Sequence, residues 1–318
     1  APPLSVAGVL LVSLGAVGGF LATREPEDDR QMRLGQTALL KNEAGVAIGC
    51  FNLALKEQPD FDKRLDILLV RGQAYLKTGE IDKALADFRE VEKLRQDPLA
   101  TAAVGYCRAM NQEYHPAKKS FESAASRGWN DALAYSNNVG YCLVKEAKYD
   151  LAEQQLAVAL RIAPSRPVVL HNLGMLNFHR MLRRQPFDLS YIVLASETAD
   201  PSAELWLDVA ATFSRAAGRI LPKGQEPNQK QLEQCHDFTR RAIAAAEKAV
   251  QLGASPVRIQ NRVARNIPDE AKKLKEIARL EEITRLPKPE KDPPPVQHFI
   301  SPFEKVTATH LAALNRDS

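Results

Sequence analysis

The stretch Val139-Gly140-Tyr141-Cys142-Leu143-Val144-Lys145-Glu146-Ala147-Lys148-Tyr149-Asp150-Leu151-Ala152-Glu153-Gln154-Gln155-Leu156-Ala157-Val158-Ala159 sets small residues at fixed intervals. Counting from Gly140, step 12 is Ala152, step 16 Leu156, step 19 Ala159 and step 24 Pro164. The same steps from Gly35 land on Ala47, Phe51, Ala54 and Pro59, with Leu34 standing where Val139 stands here. From Gly72 they land on Ala84, Phe88 and Val91, with Pro98 two residues late, and from Gly105 on Ala117, Phe121 and Ala124. Gly35, Gly72, Gly105, Gly140 and Gly174 are 37, 33, 35 and 34 residues apart. Self-similarity at such a period marks stacked units, each unable to bury its apolar face alone.

These residues resemble the tetratricopeptide repeat family, over residues 31–254. The resemblance implies two antiparallel helices per unit. The glycine sits where the first helix meets its neighbour, and Phe51, Phe88, Phe121 and Leu156 fill the gap between helices. Pro59 and Pro164 stop the second helix, because proline lacks an N–H and clashes with the preceding turn. The expected fold is all-α, a TPR-type α-solenoid of about five to six helix pairs spanning residues 24–254.

The later units are irregular. Step 12 from Gly174 is Pro186, so the second helix there is expected over 187–196, ended by Pro201. Residues 206–216 read as a further first helix, 218–228 as an inserted loop with Pro222, Gly224 and Pro227, and 231–252 as a long second helix. Residues 255–286 read as a cap. Within it, 269–286 is expected to form one helix, from the spacing of Leu274, Ile277, Ala278, Leu280 and Ile283. Residues 287–318 form a proline-rich tail, with Pro287-Lys288-Pro289 and Pro293-Pro294-Pro295, expected to be largely disordered apart from a short helix over 307–314.

An uncharged apolar run occupies residues 4–22. As a helix it would be about 28 Å long, close to the hydrocarbon thickness of a bilayer. Residues 1–23 therefore read as a single transmembrane helix or membrane anchor; a signal segment and a buried soluble helix are the alternatives. The flank Arg24-Glu25-Pro26-Glu27-Asp28-Asp29 lacks the basic cluster of a cytoplasmic side, which points the repeats to the extracytoplasmic side of a single-pass protein. Gly15 and Gly19 form a G-x-x-x-G pair, a candidate homodimer seam in a membrane helix.

Composition excludes several classes of function. Lys and Arg number 43 against 39 Asp and Glu, interspersed rather than clustered, so no nucleic acid is expected as a partner. Cys50, Cys107, Cys142 and Cys235 form no C-x-x-C pair. Cys107 and Cys142 occupy equivalent places in two units and read as buried thiols. The histidines show no metal-ligand spacing, and no nucleophile elbow, phosphate loop or kinase signature occurs. No catalytic residue, metal or cofactor is expected in this chain.

The resemblance implies binding instead. Its units line a concave groove with their first helices and grip an extended peptide or a partner helix. Carried over by spacing from the glycines, the lining is Gln73, Lys77, Tyr106, Met110, Asn137, Asn138, Tyr141, Lys145, His171, Asn172, Met175 and His179. Asparagine side chains donate to and accept from a peptide backbone, and tyrosine offers a flat apolar face. The expected function is a non-catalytic, membrane-tethered scaffold for a protein or peptide partner, in contact with the lipid bilayer through residues 4–22. Two alternatives stand beside it: the docking arm of a bacterial transmembrane serine/threonine kinase, and an exported assembly factor.

Overall fold

The computed structural model describes residues 25–198, 203–222, 224–287 and 298–304. Every element among them is helical. The chain divides into two compact units, one of residues up to 107 together with Phe303 and Glu304, the other of residues 108–302. In unit 1, α1 (Glu27–Leu40) packs on α2 (Ala44–Lys56) and α3 (Phe61–Thr78) on α4 (Ile81–Arg95), while α5 (Pro98–Met110) belongs largely to this unit. Unit 2 holds α6 (Tyr114–Ser126), the pairs α7 (Ala132–Lys145) with α8 (Tyr149–Ile162) and α9 (Pro167–Leu182) with α10 (Ser190–Thr198), and the longer pair α11 (Ala203–Ile220) with α12 (Gln229–Gln251). Two short helices, α13 (Pro256–Arg262) and α14 (Ile277–Thr284), close its end.

The repeating glycine has a steric cause. A Cβ on Gly35 would lie 2.5 Å from the Phe51 ring, one on Gly72 2.5 Å from Phe88, one on Gly140 2.8 Å from Leu156 and one on Gly174 2.6 Å from Ile192. Each of those large side chains is wholly buried. The second helix therefore drives a large buried residue onto bare backbone of the first, and burying such a side chain stabilises the pair by about 1.5–3 kcal/mol.

First helices end in one recurring way. Asn42, Gly79, Gln112, Ala147 and Arg184 all stand in the left-handed region, with φ between 60° and 80°. The next N–H reaches back to close a six-residue loop: Glu43 to Ala38 O, Glu80 to Tyr75 O, Glu113 to Arg108 O, Lys148 to Leu143 O and Gln185 to Arg180 O, at 2.8–3.0 Å. This is the Schellman stop, and it satisfies the carbonyls a helix end leaves open. Only Gly79 meets the left-handed requirement with a glycine.

Pro98, two residues off the repeat step, opens α5, with Asp97 Oδ1 accepting the Ala100 N–H at 2.9 Å, since proline at a first helical position forfeits no bond. Three expectations are corrected. The second helix expected over 187–196 spans Ser190–Thr198, because α9 runs on to Leu182 and its turn falls at Arg184; Pro186 precedes it, as expected, and Ile192 is the partner of Gly174. The helix expected to begin at 206 spans Ala203–Ile220, so the inserted loop is shorter than 218–228, and Asn228 caps α12 through a capping box with Gln231. The single helix expected over 269–286 is a 3-10 turn, Asp269–Ala271, then turns, then α14. Lys272, Lys273 and Lys275 would crowd its first turns, where the helix dipole disfavours positive charge.

Among the described residues no helix is long and apolar enough to cross a membrane. The expected transmembrane run over 4–22, the Gly15 and Gly19 pair, Pro201 and the helix over 307–314 lie outside the described residues.

Candidate functional site

Part of the tail expected to be disordered is folded. Phe299, Ile300 and Phe303 are buried, apolar residues in a polar, proline-rich stretch, and burial of such side chains is what orders the segment. In unit 1, Phe303 stacks on Phe88 with centroids 5.5 Å apart, in a cluster with Tyr75, Leu85 and Val104. In unit 2, residues 298–300 run along the first helices α7 and α9.

There the chain is held by asparagines. Asn138 Nδ2 donates to Ile300 O at 2.8 Å, and Ile300 N–H donates to Asn138 Oδ1 at 2.8 Å, so one amide satisfies both backbone groups of one residue. The Nδ2 groups of Asn137 and Asn172 both donate to His298 O, at 3.1 and 2.8 Å. The amides are also chained together: Asn172 Nδ2 donates to Asn137 Oδ1 at 3.0 Å, and Asn137 Nδ2 to Asn138 Oδ1 at 3.1 Å. All three asparagines are 0% exposed. Buried amides are tolerated because the network leaves them paired.

Rings fix the side chains. His298 lies flat on Tyr141, centroids 4.3 Å apart and planes at 8°, and on His171 at 4.8 Å and 20°. Phe299 meets the same Tyr141 edge-on at 5.1 Å. Asn172 spends its Nδ2 on Asn137 and the His298 carbonyl, so its Oδ1 accepts from His298 Nδ1–H at 3.2 Å. Burial, with the His171 imidazole adding to it, holds His298 down to about 3, so the docked ring is neutral. Behind it, His171 Nε2 bonds Asp208 Oδ2 at 3.0 Å, and Arg262 bridges Asp208 and Glu204. Burial pushes the Asp208 carboxyl up, but the His171 hydrogen bond and the Arg262 guanidinium outweigh it and bring it to about 2.

Beside the docked segment lies an open cleft of about 500 Å³. Met110, Tyr114, Lys145, Met175 and Asp208 line it, and His298 and Phe299 form part of its wall. Lys145 holds its ammonium over the rings of Tyr141 and Tyr114, 5.2 and 5.8 Å from their centroids.

Of the groove residues expected from the sequence, Asn137, Asn138, Tyr141, His171 and Asn172 meet at the docked segment. Met110, Lys145 and Met175 line the cleft. His179 sits apart, stacked on Tyr149 at 6.2 Å. Gln73, Lys77 and Tyr106 belong to unit 1; Gln73 and Tyr106 are buried, and Lys77 is exposed and bonds Asn42. The sequence reading missed Tyr114, Asp208 and Arg262, and it missed the segment itself. The signal was present: His298-Phe299-Ile300-Ser301-Pro302-Phe303 is an apolar cluster directly after the prolines. Among the described residues no group of three His, Cys, Asp or Glu side chains is placed to hold a metal ion.

Residues 65–98 match the tetratricopeptide repeat family model. Residues 65–98 thus form one tetratricopeptide repeat, and the periodic glycines and helix pairs on either side follow the same pattern. No curated protein matches the chain by sequence. Among solved structures it is similar to a tetratricopeptide repeat protein from Parabacteroides merdae ATCC 43184, at 12% identity and TM-score 0.49, over 76% of this chain and 99% of that one. It is also similar to the type IV pilus biogenesis factor PilW, at 17% identity and TM-score 0.44 over 78% and 98%, and to MamA protein, at 19% and 0.44 over 54% and 91%.

Proposed function

We propose that this chain is a non-catalytic scaffold whose groove in unit 2 receives an extended segment of a partner protein. Asn137, Asn138 and Asn172 read the backbone, and Tyr141 with His171 forms a slot for a flat side chain. The observation that carries this is the paired bond of Asn138 to Ile300 N–H and C=O, a contact that depends on extended backbone and not on sequence. The test is a phage-displayed library of random short peptides panned over the full chain. Retained peptides are expected to lose binding to a chain carrying Asn137→Ala and Asn172→Ala; equal retention would place the contact surface elsewhere.

The uncharged run over 4–22 supports tethering of this scaffold to a bilayer, and the flank over 24–29, without a basic cluster, supports placing the repeats on the extracytoplasmic side. Alkaline carbonate washing should leave the full chain in the membrane fraction and release a Leu10→Arg, Leu14→Arg variant. Release of the unsubstituted chain would refute the tether.

A further inference from the structure

We propose that residues 298–302 are a built-in competitor for the groove. The ligand they keep out is an extended protein segment bearing a flat ring, an aromatic ring and an aliphatic side chain in the order of His298, Phe299 and Ile300. The inference rests on the proposed groove and adds to it the ligand's chemistry and a means of control.

The contacts that hold the tail are those a foreign segment would use. Three buried side-chain amides from α7 and α9 bind main-chain groups of His298 and Ile300, and any extended residue offers the same groups. Selectivity comes from the rings. The slot between Tyr141 and His171 admits a planar group, and the edge of Tyr141 takes the next aromatic side chain. Ile300, 2% exposed, supplies the aliphatic step. This is the geometry of a bound peptide, filled by the chain itself.

Two features make the tail a competitor rather than a fixed part of the core. It follows a stretch, 288–297, with prolines at 289, 293, 294 and 295, a composition that forfeits backbone donors and opposes helix. It also leaves the cleft of about 500 Å³ beside His298 unfilled. A partner with a side chain reaching into that space would meet Tyr114, Lys145 and Met175. The tail's advantage is its attachment. Attachment within one chain gives an effective concentration of order 1 mM, so a tail with an intrinsic Kd of about 100 μM would weaken any competing segment about tenfold.

The experiment uses the full chain and a fluorescein-labelled peptide of residues 296–304, read by anisotropy. The unsubstituted chain is expected to bind the peptide at least tenfold more weakly than a chain carrying His298→Ser and Phe299→Ser. Adding Asn138→Ala to that variant is expected to abolish binding. Equal, measurable affinity with and without the tail substitutions would overturn the competition and leave the groove reading standing. No binding to either chain would overturn the ligand assignment, and the groove reading falls with it only if the peptide library also returns nothing. A mass that doubles with concentration and reverts on Phe299→Ser would put the tail in a second copy and overturn the intramolecular assignment. Hydrogen exchange on the unsubstituted chain guards against misfolded variants. Saturating peptide should remove protection from residues 298–302 and spare α8; protection there unchanged by peptide would refute displacement.

Discussion

Acid should release the tail from the groove, and His298 sets the size of the effect. The perturbation is a change from pH 7.5 to 5.0. His298 docks neutral, held down to about 3 from an ordinary 6.5. A depressed histidine stabilises the docked state fully above 6.5, and that stability is lost as pH falls below 6.5 towards 3. At pH 5 a released imidazole is protonated by about thirty to one, so docking weakens about 30-fold, or about 2 kcal/mol. Any docked value below about 4 gives nearly the same factor, so the result depends on the ring being buried and neutral rather than on how far it is shifted. The charged and titratable groups around the ring are Tyr141 and Lys145 of α7, His171 of α9, Asp208 of α11 and Arg262 of α13. Hydrogen exchange of the Ile300 amide, corrected for its intrinsic pH dependence, is the assay, because that N–H is bonded to Asn138 only when the tail is docked. Protection should fall about 30-fold at pH 5 in the unsubstituted chain and change little with pH in a His298→Phe chain. Equal protection at both pH values would refute the reasoning. An undiminished acid loss in the His298→Phe chain would refute the assignment to His298.

Three further outcomes are expected. Gly72→Ala sets a methyl 2.5 Å from the Phe88 ring, which Phe303 packs from another side, so it should lower stability by about 1–3 kcal/mol in urea unfolding; Gly49→Ala, which meets nothing within 4 Å in α2, should raise it by about 0.5–1 kcal/mol. Ala147→Gly relieves a left-handed alanine at φ 60° and should stabilise by up to about 1 kcal/mol, the difference between about 1–2 kcal/mol of strain and the entropy glycine adds to the unfolded chain. Burial pushes the Cys107 and Cys142 thiols up to about 12, so thiol reagents at pH 8 should modify Cys50 first and these two only on unfolding.

The helix pairs were legible because their cause is local and repeated. A glycine facing a large residue 16 positions on recurs at Gly35, Gly72 and Gly140, and one fixed distance in sequence maps to one close approach in space. Phase was legible only while the turn stayed the same length. Once α9 ran on to Leu182, the partner of Gly174 moved to Ile192, and counting alone placed the second helix too early. The left-handed stops were not legible at all. Asparagine, glutamine, alanine and arginine fill four of the five, since the surrounding hydrogen bonds enforce a conformation those residues do not favour by themselves.

The groove divides along the same line. Asn137, Asn138, Tyr141, His171 and Asn172 follow from register, because each stands at a set distance from a repeat glycine. What completes them does not, because Asn138 meets Ile300 across 162 residues and no period links the two. Yet the groove's composition already contained half of the answer. Three asparagines on two adjacent first helices, all 0% exposed, cannot satisfy their amides through one another alone. Among the described residues, Asn138 Nδ2 and the second donor bonds of Asn137 and Asn172 find their acceptors on the tail, at Ile300 O and His298 O. An empty groove would hand those donors to water, and an occupied one must supply extended backbone carbonyls at the same two places. Any ligand of this groove therefore competes for the donors that hold His298 and Ile300, which is why occupancy by the tail and occupancy by a partner exclude each other at the level of single hydrogen bonds.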